Sequence, residues 1–553
     1  MRSAPPKMAC VDGLQRAYDE AVSKLLTQLG LTGEPFSKLN AENEPDLAEY
    51  FVRAPFYTTI GGRALSADSY VLFGARGSGK SATRLAAYRD VWDRIAREEK
   101  APIVVTLDNY DRVLAGGLDS VTAKQIIDEI AFLVTEAILL WLSHLPEGDR
   151  ITYTSALTSD EVHFARLLIN TCYLNRSEAA RQLSGSQALR VINSAWHGRI
   201  AHWASRNWTT VSGVIGSVIS AIVKSKTEVD VDANKAIAPL LAKDAFGPEL
   251  ADGRALLERL VSFARLFGFN GIVVLVDKAD ETPATSDSAP NAAQLLYPLL
   301  SSTQLMEVPQ FGWIFFLWDR VRDEYTREAR FKIRLDKMQH ATIAWSEAEL
   351  GELVAKRIAF YSNGRLRGFA DLCAEGAAEP EKLFARIVRT CGRSPRELIK
   401  ALDTIVRQHD EMNAADEQAP LLTEESVERG LDAYCVDSVP ATYAAALIAP
   451  LLRLRIARFA NKDVQQIARI GGPAARARIQ KWVDANLVGL AGQRAAEGGV
   501  GGKPANEYAI IDPRVTRVVE RSLRLSTQIE MLLENEDESA DDAIGAEKES
   551  ADD

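Results

Sequence analysis

Short, continuous runs of apolar residues recur along the N-terminal two thirds of the chain, separated by longer segments with apolar positions at helical spacing. Four runs predict buried strands, at 70–74, 103–107, 272–276 and 313–318. Such runs are typical of strands buried on both faces, and strands that alternate with helices usually form a parallel sheet. The pattern therefore predicts an α/β fold with helices on both faces of a parallel sheet.

Helical spacing dominates the rest of the chain. We expect an N-terminal helix at 11–29, a large and almost wholly helical insertion at 118–265, and a further helical region at 346–440. Residues 208–223 are largely apolar, but they fall short of the ~20 residues that span a bilayer and include several serines and threonines. A buried helix is therefore predicted there, and not a membrane span.

The C-terminal pattern predicts a winged-helix domain. A short helix at 463–470, a Gly-Gly-Pro turn and a longer helix at 474–485 precede two strands, at 487–490 and 508–511, that a glycine-rich tip joins. A basic helix in such a domain commonly enters a DNA groove while the wing contacts phosphates. The basic residues on the longer helix and beside the tip are Arg476, Arg478, Lys481, Arg494 and Lys503.

Few side chains suited to base readout accompany these arginines and lysines, so sequence-nonspecific contact with double-stranded DNA is predicted. Docking of the same domain on a partner protein remains open. The formal net charge of −11 conceals this basic domain, because ten of the last twenty residues are acidic. The tail at 525–553 is accordingly predicted to be disordered. The five cysteines form no CxxC pair, which indicates neither a zinc site nor a disulfide framework and favours a cytoplasmic location.

The segment 74–81 (GARGSGKS) lies between a predicted strand and a predicted helix. Its glycines let consecutive backbone N–H groups point at phosphates, and the start of the helix adds a favourable field. Lys80 is expected to reach the β- and γ-phosphates of ATP, and the Ser81 hydroxyl to bind Mg²⁺. This context predicts a P-loop NTPase. The predicted phosphate cradle comprises Gly74, Ala75, Arg76, Gly77, Ser78, Gly79, Lys80, Ser81 and Ala82.

A second acidic position follows the strand predicted at 272–276. Asp277 stands at the strand end, where a carboxylate can hold Mg²⁺, and either Asp280 or Glu281 is placed to polarise the attacking water. The segment 276–280 (VDKAD) is also close to the guanine-reading Asn-Lys-x-Asp loop of GTPases. That alternative is weaker, because Asp277 replaces the asparagine and no DxxG motif follows a hydrophobic strand at the expected place.

Four motifs in this order resemble those of the AAA+ ATPases, in particular the origin-recognition-like and STAND-like branch. The first two are the phosphate loop and the acidic strand end. The third is the strand at 313–318, which ends at Asp319, where the family places a γ-phosphate sensor. The fourth, the segment 392–399 (GRSPRELI), resembles the sensor-2 motif of a helical lid. The resemblance implies that Arg396 contacts the γ-phosphate.

The family often keeps an arginine that acts on a neighbouring subunit just ahead of its last core strand, which we expect at 332–335. Arg330 is the matching candidate, with Arg327 and Arg334 as alternatives. The resemblance thus implies a homo-oligomer. It also implies that ATP state is coupled to assembly and to DNA or an effector protein, in DNA transactions or in prokaryotic antiviral defence.

The predicted architecture has six parts. They are an N-terminal helical segment (1–65), a P-loop ATPase core (66–117 and 266–345), a helical insertion (118–265), a helical lid (346–440), a winged-helix domain (441–524) and an acidic tail (525–553). One departure from the family stands in the core. Lys278 occupies the position at which many AAA+ enzymes have the catalytic glutamate, so slow hydrolysis, or a non-catalytic nucleotide-gated scaffold that recruits a partner through the winged helix, is the alternative.

Overall fold

A computed structural model of the chain describes residues 23–185, 208–224, 250–286, 288–327, 329–374, 379–494 and 504–525. The predicted N-terminal helix therefore lies largely outside the described residues, which contain a short helix at Lys24–Gln28. The chain divides into two compact units, one of Asn40–Ala344 and one of Met1–Leu39 with Trp345–Asp553. Within the described ranges, no helix is long and apolar enough to cross a membrane.

The first unit is built on a five-stranded, wholly parallel sheet. Its strands are β1 (Tyr70–Gly74), β2 (Ile103–Leu107), β3 (Ile272–Val276), β4 (Phe311–Trp318) and β5 (His340–Thr342). Their order across the sheet is β2-β3-β4-β1-β5. All residues of β1, β3 and β4 are buried, as expected for central parallel strands. Because β4 lies between β1 and β3, the carboxyl ends of these three strands are neighbours.

The last strand of this sheet is not where the sequence predicted it. The predicted strand at 332–335 is partly irregular and partly a 3₁₀ turn (Leu335–Lys337), and β5 pairs with β1 instead. Within 332–335, Ile333 and Leu335 are buried, whereas Lys332 and Arg334 are exposed. Alternating burial shows only that a segment lies on the core. Whether that segment also forms a ladder depends on which residues reach the free edge of β1.

Helices surround the sheet of the first unit. Helix α1 (Lys80–Ala96) follows β1, and helix α2 (Ala123–His144) follows β2. A capping box formed by Thr122 and Gln125 begins α2. The other helices of this unit are Leu47–Tyr50, Pro55–Ser66, Glu147–Ser155, Ser159–Leu168, Trp208–Lys224, Leu250–Leu266, Ala289–Leu300, Thr303–Met306 and Val321–Thr326, with residues 178–185 also helical.

The insertion between β2 and β3 is helical, as predicted, wherever the structure describes it. Its longest helix, α2, packs on β2 and contacts the helices Trp208–Lys224 and Leu250–Leu266. The apolar segment 208–223 forms the first of these two helices, which buries Ile215, Val218 and Ile222. The segment is thus helical, as predicted, but it buries only one face, because Gly213, Gly216, Ser217 and Ala221 are exposed.

The second unit contains the predicted lid helices and the C-terminal domain. The lid helices are Glu347–Tyr361, Pro380–Thr390, α3 (Pro395–Met412) and α4 (Glu424–Thr442). The antiparallel sheet of the C-terminal domain has the order β6-β8-β7, with β6 at Arg458–Ala460, β7 at Val488–Arg494 and β8 at Ala505–Ile510. Its helices are Ala445–Leu452, Asn461–Ala468, α5 (Gly472–Asp484) and α6 (Pro513–Glu520). This is a winged-helix arrangement, to which β6 adds a third strand that the sequence did not predict.

Candidate nucleotide site

The segment 74–81 forms a tight loop between β1 and α1. Gly77 and Gly79 have φ angles of 79° and 93°, in the left-handed region that L side chains disfavour. A Cβ atom at Gly74 would lie 2.5 Å from Ser78 Oγ, so the loop closes only because Gly74 has no side chain. Glycine is therefore required at three positions of the predicted cradle for steric reasons, and the loop leads directly into the first turn of α1.

Lys80 folds back onto this loop. Its ammonium group is buried and donates hydrogen bonds to the carbonyl oxygens of Gly74 (2.8 Å) and Ala75 (3.1 Å). Burial lowers the pKa of Lys80, and nearby carboxylates oppose that shift. In order of their effect, these carboxylates are Asp280, Asp277, Asp319 and Glu281. The structure thus brings the four acidic side chains predicted from the sequence together around one lysine.

Ser81 and Asp277 are in direct contact. Ser81 Oγ donates a hydrogen bond to Asp277 Oδ2 over 3.0 Å, and only 2% of Asp277 is exposed. A hydroxyl oxygen and a carboxylate oxygen at this separation, beside a phosphate-binding loop, are suitable donors for Mg²⁺. The residues present therefore fit a nucleotide-bound magnesium ion.

Arg84 is a site residue that the sequence pattern did not identify. Its side chain is completely buried, with Nε 2.9 Å from Asp277 Oδ2 and a terminal nitrogen 3.5 Å from Asp108 Oδ2. Another terminal nitrogen is paired with Glu42. Burial works against the charged guanidinium, but the three carboxylates outweigh it and raise the pKa of Arg84. The available signal was helical spacing, because Arg84 lies four residues after Lys80 and hence on the same face of α1.

The charge of Lys278 is paired with a carboxylate outside the phosphate loop. Its ammonium group lies 2.6 Å from Glu42 Oε2, and its backbone has a φ of 60°. Glu42 therefore neutralises two cations, Lys278 and Arg84, from a short 3₁₀ turn at Ala41–Asn43. Glu42, which precedes β1 in the chain, thus completes the charge balance around the end of β3.

The two candidates for activating water have different surroundings. Asp280 is 4% exposed, accepts a bond from Arg76 Nε at 3.3 Å, and its backbone carbonyl accepts another from the same guanidinium at 2.9 Å. The Arg76 guanidinium also lies 4.6 Å from the centre of the Trp318 ring. Glu281, in contrast, is exposed. The γ-phosphate sensor candidate Asp319 is half-buried at the end of β4, where its N–H donates to Gly74 O over 3.2 Å.

The three candidates for a trans-acting arginine differ in their ion pairs. Arg327 pairs with Asp323 (3.5 Å), and Arg334 pairs with Asp336 (2.8 Å). Arg330 is exposed, approaches Gln294 Oε1 at 3.4 Å and has no ion pair among the described residues. Of the three, Arg330 thus retains an uncompensated charge at the surface of the first unit.

The sensor-2 candidate Arg396 belongs to the second unit. It is exposed at the second residue of α3, which begins with Ser394 as its N-cap and Pro395 in its first turn. The next residue, Glu397, accepts a hydrogen bond from Tyr434 at 2.6 Å and lies 3.4 Å from Arg514 of α6. Neighbouring contacts thus fix the start of α3, while the Arg396 side chain remains accessible.

The predicted DNA-binding residues also separate into two kinds. Arg476 and Lys481 are exposed on α5 and Arg478 is half-buried there, and none of the three has an ion partner in the described part of the chain. Arg494 is held by Asp463 and Glu507, each at 3.0 Å, and so braces β7 against β8 and a neighbouring helix. Lys503 lies outside the described residues.

The parallel sheet, the glycine loop after β1 and the carboxylates at the ends of β3 and β4 define a P-loop nucleotide-binding fold. No family model and no curated protein matches the chain. Among solved structures, it is similar to the ORC2 protein of Aeropyrum pernix in ADPNP–ADP complexes, with 13% identity, coverage of 88% of this chain and 96% of that chain, and a TM-score of 0.38.

Two further solved structures are similar to the chain. One is the ORC1 protein of Aeropyrum pernix in complex with DNA, with 10% identity, coverage of 88% of this chain and 96% of the other, and a TM-score of 0.34. Another is Cdc6p from Pyrobaculum aerophilum, at 10% identity, 89% and 98% coverage, and a TM-score of 0.28. Because the TM-scores lie below 0.5, the fold assignment rests on the sheet and the loop of this chain itself.

Proposed function

We propose that this protein is an AAA+-like ATPase that binds ATP with Mg²⁺ and uses the nucleotide state to control its assembly and its engagement of DNA. The observation that carries the proposal is the Ser81–Asp277 contact of 3.0 Å beside a glycine loop that holds Lys80 among four carboxylates. These three groups lie close to the carboxyl ends of β1 and β3, which supports Ser81 and Asp277 as donors for a metal ion and Lys80 as the lysine for the phosphates.

Phosphate binding requires Lys80 to exchange its partners. Its ammonium group would leave the carbonyl oxygens of Gly74 and Ala75 for the β- and γ-phosphates, which restore its charge balance better than neutral carbonyls do. Ser81 and Asp277 would hold Mg²⁺, which supplies charge neutralisation on the phosphates when bound. Either Asp280 or Glu281 would accept a proton from the attacking water, and Asp319 would orient the γ-phosphate.

Assembly would complete the site. Arg330 is exposed and without an ion pair in the described residues, so it is available to the γ-phosphate of a neighbouring copy, where a guanidinium stabilises the charge of the transferring group. Arg396, on the first turn of lid helix α3, would also contact the γ-phosphate. The protein would then be a homo-oligomer whose contacts depend on nucleotide.

The winged helix would supply the output. Arg476, Arg478 and Lys481 place positive charge on α5 without ion partners in the described residues, which suits phosphate contact with double-stranded DNA. A switch of this kind would act in DNA transactions or in prokaryotic antiviral defence, with an effector protein as a further partner.

ATP turnover by the purified protein, measured with and without double-stranded DNA, tests the proposal. The matched variants are Lys80→Ala in the cradle and Lys100→Ala, an exposed lysine at the end of the segment after α1. We expect turnover that DNA increases, that Lys80→Ala abolishes and that Lys100→Ala leaves unchanged. Equal turnover in both variants would refute the assignment of the phosphate site.

A second candidate function is a nucleotide-gated scaffold that does not need turnover. It is supported by two ion pairs that follow the end of β3. Asp280 is paired with Arg76, and Lys278 is paired with Glu42. Tight ATP binding that Lys80→Ala removes, without turnover in any condition, would favour this candidate. The winged helix would then recruit a partner protein.

A further inference from the structure

A cavity of about 450 Å³ lies in the first unit between α1, β2 and α2. This volume falls within the range of small-molecule sites, and none of its lining residues belongs to the phosphate loop. Trp92, Phe132, Leu140 and Leu183 give it a largely apolar wall. The helical insertion, to which the nucleotide site assigns no role, thus encloses a space large enough for an organic molecule.

One acidic side chain in this wall is incompletely satisfied. Glu136 of α2 is 2% exposed, and its Oε2 accepts a hydrogen bond from Ser184 Oγ at 2.6 Å. Its other oxygen, Oε1, has no hydrogen-bond partner among the described residues, and neither has Oγ1 of Thr106, which lines the same cavity. Buried polar atoms without partners are rare, because each loses its bonds to water without replacement. Both atoms therefore indicate a polar group that enters the cavity.

The charged residues around the cavity determine whether a bound polar group should be positively or negatively charged. Glu129 is compensated by Arg176 at 3.0 Å and by Arg112 at 3.7 Å, and Asp108 is compensated by Arg84 at 3.5 Å. Glu136 has no ion pair in the described part of the chain. A negatively charged occupant would meet this carboxylate directly, whereas a cation would compensate it.

Burial also sets the protonation of Glu136. It raises the pKa of the carboxyl group to about 8, with a smaller contribution from Glu129, while Ser184 opposes the shift. The other titratable groups that sense Glu136 are Tyr88 and Tyr173, both of which burial keeps neutral by raising their pKa. The charge of Glu136 thus changes near neutral pH, and an arriving cation would favour its ionised form.

We propose that this cavity is a binding site for a small organic amine, with the ammonium group on Glu136 Oε1 and an aromatic or branched aliphatic body against Trp92 and Phe132. Thr106 Oγ1 provides a further acceptor for an N–H of the ligand. The proposal does not rest on the proposed ATP function, because no residue of the phosphate loop lines the cavity, although Asp108 in its wall pairs with Arg84 of the nucleotide site.

Calorimetric titration of the full chain with three indoles tests the site. Tryptamine carries an ammonium group, tryptophol replaces it by a hydroxyl, and indole-3-acetate carries a carboxylate on the same ring. We expect tryptamine to bind at least about tenfold more tightly than either analogue, since only it compensates Glu136. Equal affinities, or no binding of tryptamine, would overturn the proposal without any variant being needed.

Two variants locate the bound amine. Glu136→Gln preserves the shape of the side chain, and we expect it to weaken tryptamine by about tenfold or more while leaving tryptophol unchanged. Glu147→Gln, at an exposed glutamate of the next helix, should change neither affinity. Raising the pH from about 6 to about 8 should strengthen tryptamine binding by about tenfold or more, because Glu136 then ionises in the free protein. Unchanged tryptamine binding in Glu136→Gln would overturn the assignment.

Titration of Lys80→Ala separates this site from the ATP proposal. The variant should bind tryptamine as the unmodified protein does, whether or not it binds ATP. Tighter tryptamine binding in Lys80→Ala would show that the amine occupies the phosphate loop, where removal of the lysine leaves carboxylates to the arriving cation, and it would overturn the cavity assignment while leaving the ATP proposal intact.

Discussion

Arg84 donates a hydrogen bond from Nε to Asp277 Oδ2 over 2.9 Å, and that same oxygen accepts the Ser81 hydroxyl at 3.0 Å. A buried positive charge therefore stands directly behind the carboxylate that we propose as a metal ligand. Among the described ion pairs, Arg84 is the only cationic partner of Asp277. Arg84 therefore carries much of the charge balance at this site, because Asp108 and Glu42 also pair with its guanidinium.

Replacing Arg84 by methionine should destabilise the first unit strongly. The change leaves three carboxylates close together, with Asp277 buried and unpaired by any arginine, and breaking a buried pair of this kind typically costs about 3–5 kcal/mol. Arg89→Met is the control, because Arg89 is half-buried on the same helix and makes a weak pair with Asp93 at 3.8 Å. Denaturant unfolding of both variants measures the difference. A loss below about 1 kcal/mol for Arg84→Met would contradict the charge-balance interpretation.

Substitutions of Asp280 and Glu281 should have different effects on ATP turnover. Asp280 is buried and its carboxylate is held by Arg76, whereas Glu281 is exposed to solvent. We expect Glu281→Gln to lower ATP turnover by about 10²-fold or more without weakening ATP binding, as removal of a general base typically does. Asp280→Asn should chiefly lower stability. Single-turnover rates and ATP affinities of the two variants provide the measurement, and the reverse pattern would assign the base to Asp280.

DNA affinity should depend on α5 through its charge. Each phosphate contact contributes about 0.9 to the slope of log affinity against log salt concentration, so Arg476→Ala with Lys481→Ala should reduce that slope by about two. The weakening should be similar for all duplex sequences. Arg494→Ala serves as the comparison, because Arg494 is paired with Asp463 and Glu507 and its loss should lower the stability of the domain instead. Anisotropy titrations at several salt concentrations would disprove the assignment if the slope did not change.

The sequence predicted the parts of this protein that local patterns control. All four strands predicted from continuous apolar runs are present, because such a run can be buried only in the centre of a sheet or core. The phosphate loop was predictable because its glycines and Lys80 act through the local backbone. The insertion, the lid helices and the winged-helix elements likewise follow from spacing, with differences of a few residues at their ends.

The parts that the sequence did not predict depend on residues far apart in the chain. Glu42 and Arg84 are distant in sequence, and nothing in the local pattern of either segment indicates that they form an ion pair. The edge strand β5 was missed for the same reason, because its three residues are stabilised by pairing with β1 and not by their own apolar character. The buried oxygen atoms of Glu136 and Thr106 that lack hydrogen-bond partners in the described part of the chain likewise result from three-dimensional packing.

Two glycines of the lid helices should respond to alanine in opposite ways. A Cβ atom at Gly430 of α4 would lie 2.5 Å from the Cα of Ile405, so α3 and α4 must move apart. Overpacking of this kind costs about 1–3 kcal/mol. At Gly351 the nearest atom is 3.7 Å away, and alanine should stabilise the helix by up to about 1 kcal/mol. Thermal unfolding of Gly430→Ala and Gly351→Ala measures both effects, and equal shifts would show that the two helices do not pack closely at Ile405.

Glu136 makes stability depend on pH in an unusual direction. Burial raises its pKa from the model-peptide range near 4.5 to about 8 in the folded protein, so between these values the folded state binds more protons than the unfolded state. Stability contributed by this group is therefore fully present below the unfolded pKa and is lost as pH rises through the folded pKa. Glu136→Gln removes that loss. The variant should be close to the unmodified protein near pH 5 and more stable by on the order of 2–4 kcal/mol near pH 9. Denaturant unfolding at both pH values provides the measurement, and a difference that does not grow with pH would mean that Glu136 is already ionised and compensated in the folded protein.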